Sequence, residues 1–334
     1  MYKFLTRIPS PAAYGFGILP DGSVLIRDTR GVKLLDDQSY RYGNDQPLDH
    51  LLFDNKIIIT DWAGKYSIFD FQSWQQILSG VNQGFFLVND EYLGTAIIDN
   101  GKISFGLLNR DLTLAEQWPY RPYSYFNQLV QKNWILLDSY EKCYALSIGD
   151  QGKQWEFSFS TAAPAQFSAF AGQYGQLVAI TLNNGSFLLN DAETGKLRQQ
   201  FNNTNVTTDM LQYAPGSPRF LGVGFETFIE INIEQNKVIR KIDFTQSLQQ
   251  LAGETVFMRK AKIYGNKLYF IAGTNHIGVF DIETARIEWL HKFKFKSRNT
   301  LIPVDEAQIQ LYQNKLFVMD NAGDLHVFEQ QNTP

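Results

Sequence analysis

The chain is poor in cysteine, charge and long apolar runs, and each shortage excludes something. One cysteine, Cys143, stands among 334 residues, so no internal disulfide and no cysteine zinc cluster can form. The four histidines, His50, His276, His291 and His326, show neither metal-ligand spacing nor a local triad pattern, and no G-x-S-x-G occurs. Charged residues make up only 19%, with 30 basic against 34 acidic and a net charge of −4. That balance lacks the basic excess that nucleic-acid binding needs. No stretch of about 18 apolar residues occurs, and Met1 to Ser10 has no signal-length apolar run. The expectations are a cytoplasmic protein with no nucleic-acid partner, no membrane partner and no cofactor. Gly15-x-Gly17 and Gly222-x-Gly224 lie in strand-like text without a following helix, so they are not phosphate loops.

What the chain has in abundance is apolar and aromatic residues: 44% and 14%, including 26 Phe and 16 Tyr. Aromatic residues favour the pleated, half-buried surface of a strand, and an all-β fold is expected. Hairpins recur along the chain. From Ile57, IIITD is followed by WAG and then KYSIFDF. Similar text begins at Val24, Tyr92, Trp134, Leu177, Arg219, Leu268 and Leu316. A further polar break precedes each hairpin, as at Asp54-Asn55-Lys56 and Gly265-Asn266-Lys267, and a fourth strand follows, as in KLRQQF from Lys196. Dividing the chain into eight gives roughly 42 residues per unit, the length of a four-stranded propeller blade. We therefore expect one β-propeller domain over residues 1–334 with eight four-stranded blades, or seven if the short first unit is irregular. The last unit lacks a fourth strand, whereas Tyr2 to Ile8 reads as one without a blade. The two chain ends are expected to pair and close the ring.

The run Asp191-Ala192-Glu193-Thr194-Gly195-Lys196 resembles the D-x-x-T-G-K of quinoprotein-type propeller repeats, an architecture shared with tryptophan-aspartate repeats. In that family a tryptophan follows three residues after the lysine, where this chain has Gln199. The copy at Asp281, Thr284, Arg286 and Trp289 keeps the tryptophan and replaces the glycine by Ala285, and Gly152-Lys153-Gln154-Trp155 is one residue shorter. The expected roles are structural: Asp caps the turn, Gly takes a left-handed conformation, and Trp wedges between sheets. Family members that use the quinone carry a vicinal cysteine pair and a calcium site, and neither pattern is present.

Two functional readings follow. Asp28, Asp61 and Asp320 end second strands with the spacing D-x-x-G, with Asp99, Asp138 and Asn183 at or next to corresponding places. If several converged near the axis they would make a hard-cation site, the basis of the alternative reading as a metal-dependent propeller hydrolase with a cation in the central channel. Against this, Asp and Asn recur before tight turns simply because their side chains bond the backbone just ahead. No metal ligand or catalytic residue is therefore assigned, and His276 and His326 are read as turn or surface histidines. The leading reading is a monomeric, non-catalytic module, a scaffold or an inhibitor, that binds a protein partner through one loop-bearing face. The turn between second and third strands shares that face with the link to the next blade. It would gather Arg30, Trp62 and Tyr140 from hairpin turns and Tyr120, Arg121 and Tyr123 from the proline-stiffened link between the third and fourth units. Tyr, Trp and Arg dominate binding hot spots. The links Thr245 to Met258 and Lys294 to Glu306 extend the platform, the first with one helical turn around Leu248 and Leu251. The basic run His291 to Arg298 reads as an outer strand whose lysines discourage edge pairing.

Overall fold

In the computed structural model the residues described are 2–9, 13–37, 39–42, 47–61, 64–99, 102–119, 127–159, 165–202, 204, 210–212, 216–223, 227–254, 256, 258–273, 275–293, 309–320 and 323–331. Their strands form eight antiparallel four-stranded sheets. Seven take consecutive strands, over residues 13–42, 47–81, 83–118, 127–158, 167–201, 210–243 and 258–292, here blades 1 to 7. Blade 8 takes three strands from residues 309–330 and its outer strand from Tyr2–Ile8. Tyr2 lies opposite Gln330 and Ile8 opposite Leu325, with a bulge between Phe4 and Thr6. The ring is thus closed by its two ends, in eight blades rather than seven.

Eight apolar clusters fill the eight joints. Leu25 and Val32 of blade 1 meet Ile57 and Ile59 of blade 2. Around the ring the pattern repeats until Phe317 and Met319 of blade 8 meet Phe16 and Ile26 of blade 1. Each sheet is therefore covered on both faces, which explains why the middle strands read as unbroken apolar runs instead of alternating. Ile57, Ile58 and Ile59 are all fully buried. Outer strands lie at the rim, where neighbouring sheets splay apart, and their sequences turn polar, as in Lys237–Asp243. Cys143 is buried in the joint between blades 4 and 5.

The turn motif does what its residue types require. Asp191 Oδ1 accepts the Glu193 and Thr194 backbone N–H groups at 3.1 and 2.9 Å. Arg198 first, then Thr194, hold the Asp191 carboxyl down at about 2. The left-handed residue at the equivalent turn is Gly195 in blade 5 (φ 70°), but Trp74, Leu112, Asn236 and Ala285 in blades 2, 3, 6 and 7. Conformation persists where glycine does not. Trp155, on the outer strand of blade 4, lies over Gly195 of blade 5, where an added Cβ would come within 2.6 Å of the indole. Its Nε1–H donates to the Ala192 carbonyl at 3.0 Å. Gln199, which replaces the expected tryptophan, makes the same kind of bond to the next blade: Nε2 donates to the Ile233 carbonyl at 3.2 Å. Arg240 does so to Glu283 at 3.2 Å, and Glu116 accepts the Gly149 N–H at 3.0 Å. In blades 3, 5 and 6 the residue at this position keeps the latch and changes its chemistry.

The link from blade 6 to blade 7 contains a helix, Thr245–Ala252, longer than the single turn expected. Leu248 is buried against Phe244, Val256 and Met258, and Leu251 is exposed. Among the described residues no helix is long and apolar enough to cross a membrane. The basic run continues as outer strand only to Lys292, and Lys294 to Arg298 lie outside the described residues.

Candidate interaction surface on the loop-bearing face

Hydrogen bonds tie the second-to-third-strand turns to the blade links, which places both on one face. The Asn82 N–H donates to the Gly64 carbonyl at 2.9 Å, Phe167 to Tyr140 at 2.7 Å, Thr204 to Gly185 at 3.1 Å and Phe293 to Asn275 at 2.7 Å. The opposite face is stitched separately. There the residue after the third strand bonds the first turn of its own blade, as Phe71 to Asn55 at 3.0 Å and Ile282 to Asn266 at 3.0 Å.

Arg30 projects from the blade 1 turn with its side chain 69% exposed. The turn beneath it is well built. Asp28 Oδ1 accepts the Arg30 N–H at 2.8 Å and Asp28 Oδ2 accepts the Tyr40 hydroxyl at 2.6 Å. The guanidinium lies 5.1 Å above the Tyr40 ring. Burial, then the Asp28 carboxylate, push the Tyr40 phenol up to about 12, so it stays a neutral donor. Tyr140, in the blade 4 turn, is exposed while its carbonyl holds the first strand of blade 5. Trp62, Tyr120, Arg121 and Tyr123 lie outside the described residues.

Two surface residues were not among those expected from sequence. Val81 and Ile98 are 59% and 46% exposed, at the joint of blades 2 and 3. A one-residue link, Asn82 (φ 62°), separates the blades there. Its carbonyl accepts the Ile98 N–H at 3.1 Å. Both aliphatic side chains are left exposed beside this short link. The signal lay in the shortness of the link, since two strand-like runs abut at Val81-Asn82-Gln83. Arg30, Val81, Ile98 and Tyr140 therefore occupy the same face of consecutive blades 1 to 4.

Three of the carboxylates considered for a cation site, Asp28, Asp61 and Asp320, bond within their own turns. Asp28, Asp61 and Asp320 are buried. Asp61 Oδ1 accepts the Lys65 N–H at 2.9 Å, and Asp320 Oδ1 accepts that of Asp324 at 3.1 Å. His326 Nε2 donates to Asp320 Oδ2 at 2.7 Å. Among the described residues no group of three or more His, Cys, Asp or Glu side chains is placed to hold a metal ion. The surface reading of His276 and His326 is corrected: both are buried, at 1% and 3% exposure. Their third strands pass through the packed middle of the blade, where small turn spacings say nothing about cover from neighbouring blades. On the opposite face an open depression of about 390 Å³ lies between blades 2 and 3, lined by Phe53, Asp54, Leu87, Asp90 and Arg110 among others.

No protein-family model matches the chain, and no curated protein matches its sequence. Its fold is similar to several solved propellers. BamB from Moraxella catarrhalis aligns at TM-score 0.65 and 10% identity, over 99% of this chain and 100% of that one. Sqt1 from Saccharomyces cerevisiae aligns at 0.69 and 10%, again over 99% and 100%. The C-terminal WD40 domain of Sif2 aligns at 0.66 and 9%, over 99% of each. At these identities the likeness defines a class, the β-propellers.

Proposed function

We propose that this propeller is a non-catalytic interaction module that holds a protein partner on its loop-bearing face. The observation that carries this reading is the exposed aliphatic pair Val81 and Ile98, flanked on the same face by Arg30 and Tyr140. An apolar centre with Arg and Tyr around it is the composition of a binding hot spot. Backbone hydrogen bonds hold the turns under Tyr140 and beside Val81, so little entropy is lost on docking. The degenerate D-x-x-T-G-K text supports a place among quinoprotein-type and WD-like repeats with a structural use of the motif. The buried aspartates support the same reading, since they are engaged in capping turns.

The test compares wild type with a Val81→Asp, Ile98→Asp variant and with Asp54→Asn, a control on the opposite face, as baits for partners from the source cells. The aspartate variant should lose the partners that wild type and control retain, with unchanged thermal unfolding. Retention of all partners by the double variant would refute the assignment of this face.

A further inference from the structure

The outer strands carry a difference that the fold does not require. Among the described residues each outer strand is bonded on one side to its blade and no further strand pairs with its other edge, whose backbone N–H and C=O groups can take up a further strand. Proteins usually protect such edges with charge. Seven of the eight outer strands do so here: Lys3 and Arg7, Arg41, Glu116, Lys153 with Glu156, Arg198, Lys237 with Arg240 and Lys241, and Arg286 with Lys292. The blade 2 strand Gln76–Val81, sequence QILSGV, carries none. No charge occurs from Phe71 to Asn89 around it. Ile77 and Leu78 are 49% and 44% exposed. Leu78 also stands in register with Ile68, next to the bulge, at the position where Trp155 faces Ala145. Trp155 latches onto the next blade, whereas Leu78 is left at the rim.

We propose that this edge pairs with the same edge of a second copy of the chain, antiparallel about a two-fold axis, joining two blades into one eight-stranded sheet. In such a contact each strand meets its own sequence reversed. A charged outer strand brings like charges close in some registers, whereas QILSGV does so in none and sets aliphatic side chains beside uncharged ones. The edge ends in Val81, which also belongs to the loop-bearing face; the variants below change Ser79 or Gln76 and leave Val81 and Ile98 in place, so either reading can fail alone. A six-residue edge buries less than a standard stable interface, so the dimer is weak and concentration-dependent. This departs from the monomer of the leading sequence reading.

Sedimentation velocity of the full chain from about 1 to 200 µM tests this range of weak association. The expected mass rises from 38.3 kDa towards twice that value. Ser79→Lys, at an exposed position of the strand, should weaken association at least about tenfold by setting like charges across the axis. Ile239→Lys, on the outer strand of blade 6, should leave it unchanged. Ser79→Cys under mild oxidation should give a cross-linked dimer on a non-reducing gel, because Cys143 is fully buried and cannot compete. If Ser79→Lys misfolds by circular dichroism, Gln76→Lys is read in its place. A monomer at every concentration, or a dimer indifferent to the lysine, overturns the proposal. So does a monomer that takes up an extended foreign peptide on this edge.

Discussion

Replacing Trp155 measures how strongly an outer strand latches its neighbour. Trp155→Phe keeps a ring over Gly195 but removes the donor to the Ala192 carbonyl, an interaction worth about 1 kcal/mol net. Trp155→Ala also removes the ring. Full burial of a tryptophan makes such a truncation cost about 3–5 kcal/mol; Trp155 is only partly buried against its cluster, so about 2–3 kcal/mol is expected. Gly195→Ala supplies the partner arm. In wild type the new methyl would sit 2.6 Å from the indole and the residue would keep φ 70°. With Trp155→Ala in place the clash is gone and only the left-handed strain remains, about 1 kcal/mol. The two substitutions should therefore cost less together than the sum of their separate effects, by about 1 kcal/mol or more. Urea unfolding followed by tryptophan fluorescence and circular dichroism gives all four stabilities. Strict additivity, or a Trp155→Ala variant within about 0.5 kcal/mol of wild type, would refute the latch.

Two further outcomes concern the seam where the ring closes. Arg7 of the closing strand donates from Nε and Nη2 to Asp324 Oδ2, the first at 2.7 Å. Arg7→Ala should cost about 1–3 kcal/mol and speed limited proteolysis near residue 8, whereas equal cleavage rates would show that the ion pair does not hold the seam. His291 is held below its ordinary pKa by burial, then by His326 and His276, and His276 by burial, then by Lys292 against the opposing pull of Glu254. Both rings favour the neutral form when folded. Stability is therefore complete above the unfolded value near 6.5 and falls as pH drops through it towards the folded values. Urea midpoints between about pH 7.5 and 5.5, on either side of that unfolded value, should fall, and His291→Gln should flatten that slope; an unchanged slope would remove His291 from the account.

Much of the architecture could be read before any coordinates, because every blade has to make the same turns. Asp54-Asn55-Lys56, Asp191 to Lys196 and their counterparts mark strand ends through backbone chemistry that depends only on neighbours in sequence. Even the closing strand was readable, since Tyr2 to Ile8 was a strand without a blade and the last unit a blade without a strand. The candidate surface was readable only in part. Arg30 and Tyr140 stand exposed on the expected face, but Val81 and Ile98 look like interior strand residues until the one-residue link at Asn82 is seen to leave them uncovered.

Sequence alone determined the four-stranded unit, the turns and the pairing of the ends, since local propensity and spacing suffice for these, and it left eight blades or seven for the structure to decide. Tertiary structure decided what each side chain meets across a joint. It buried His276 and His326, let Gln199 do the work of a tryptophan, and left Leu78 at an open rim. Those outcomes depend on the neighbouring blade, which lies a whole repeat away in the chain and leaves no mark on the residues beside them.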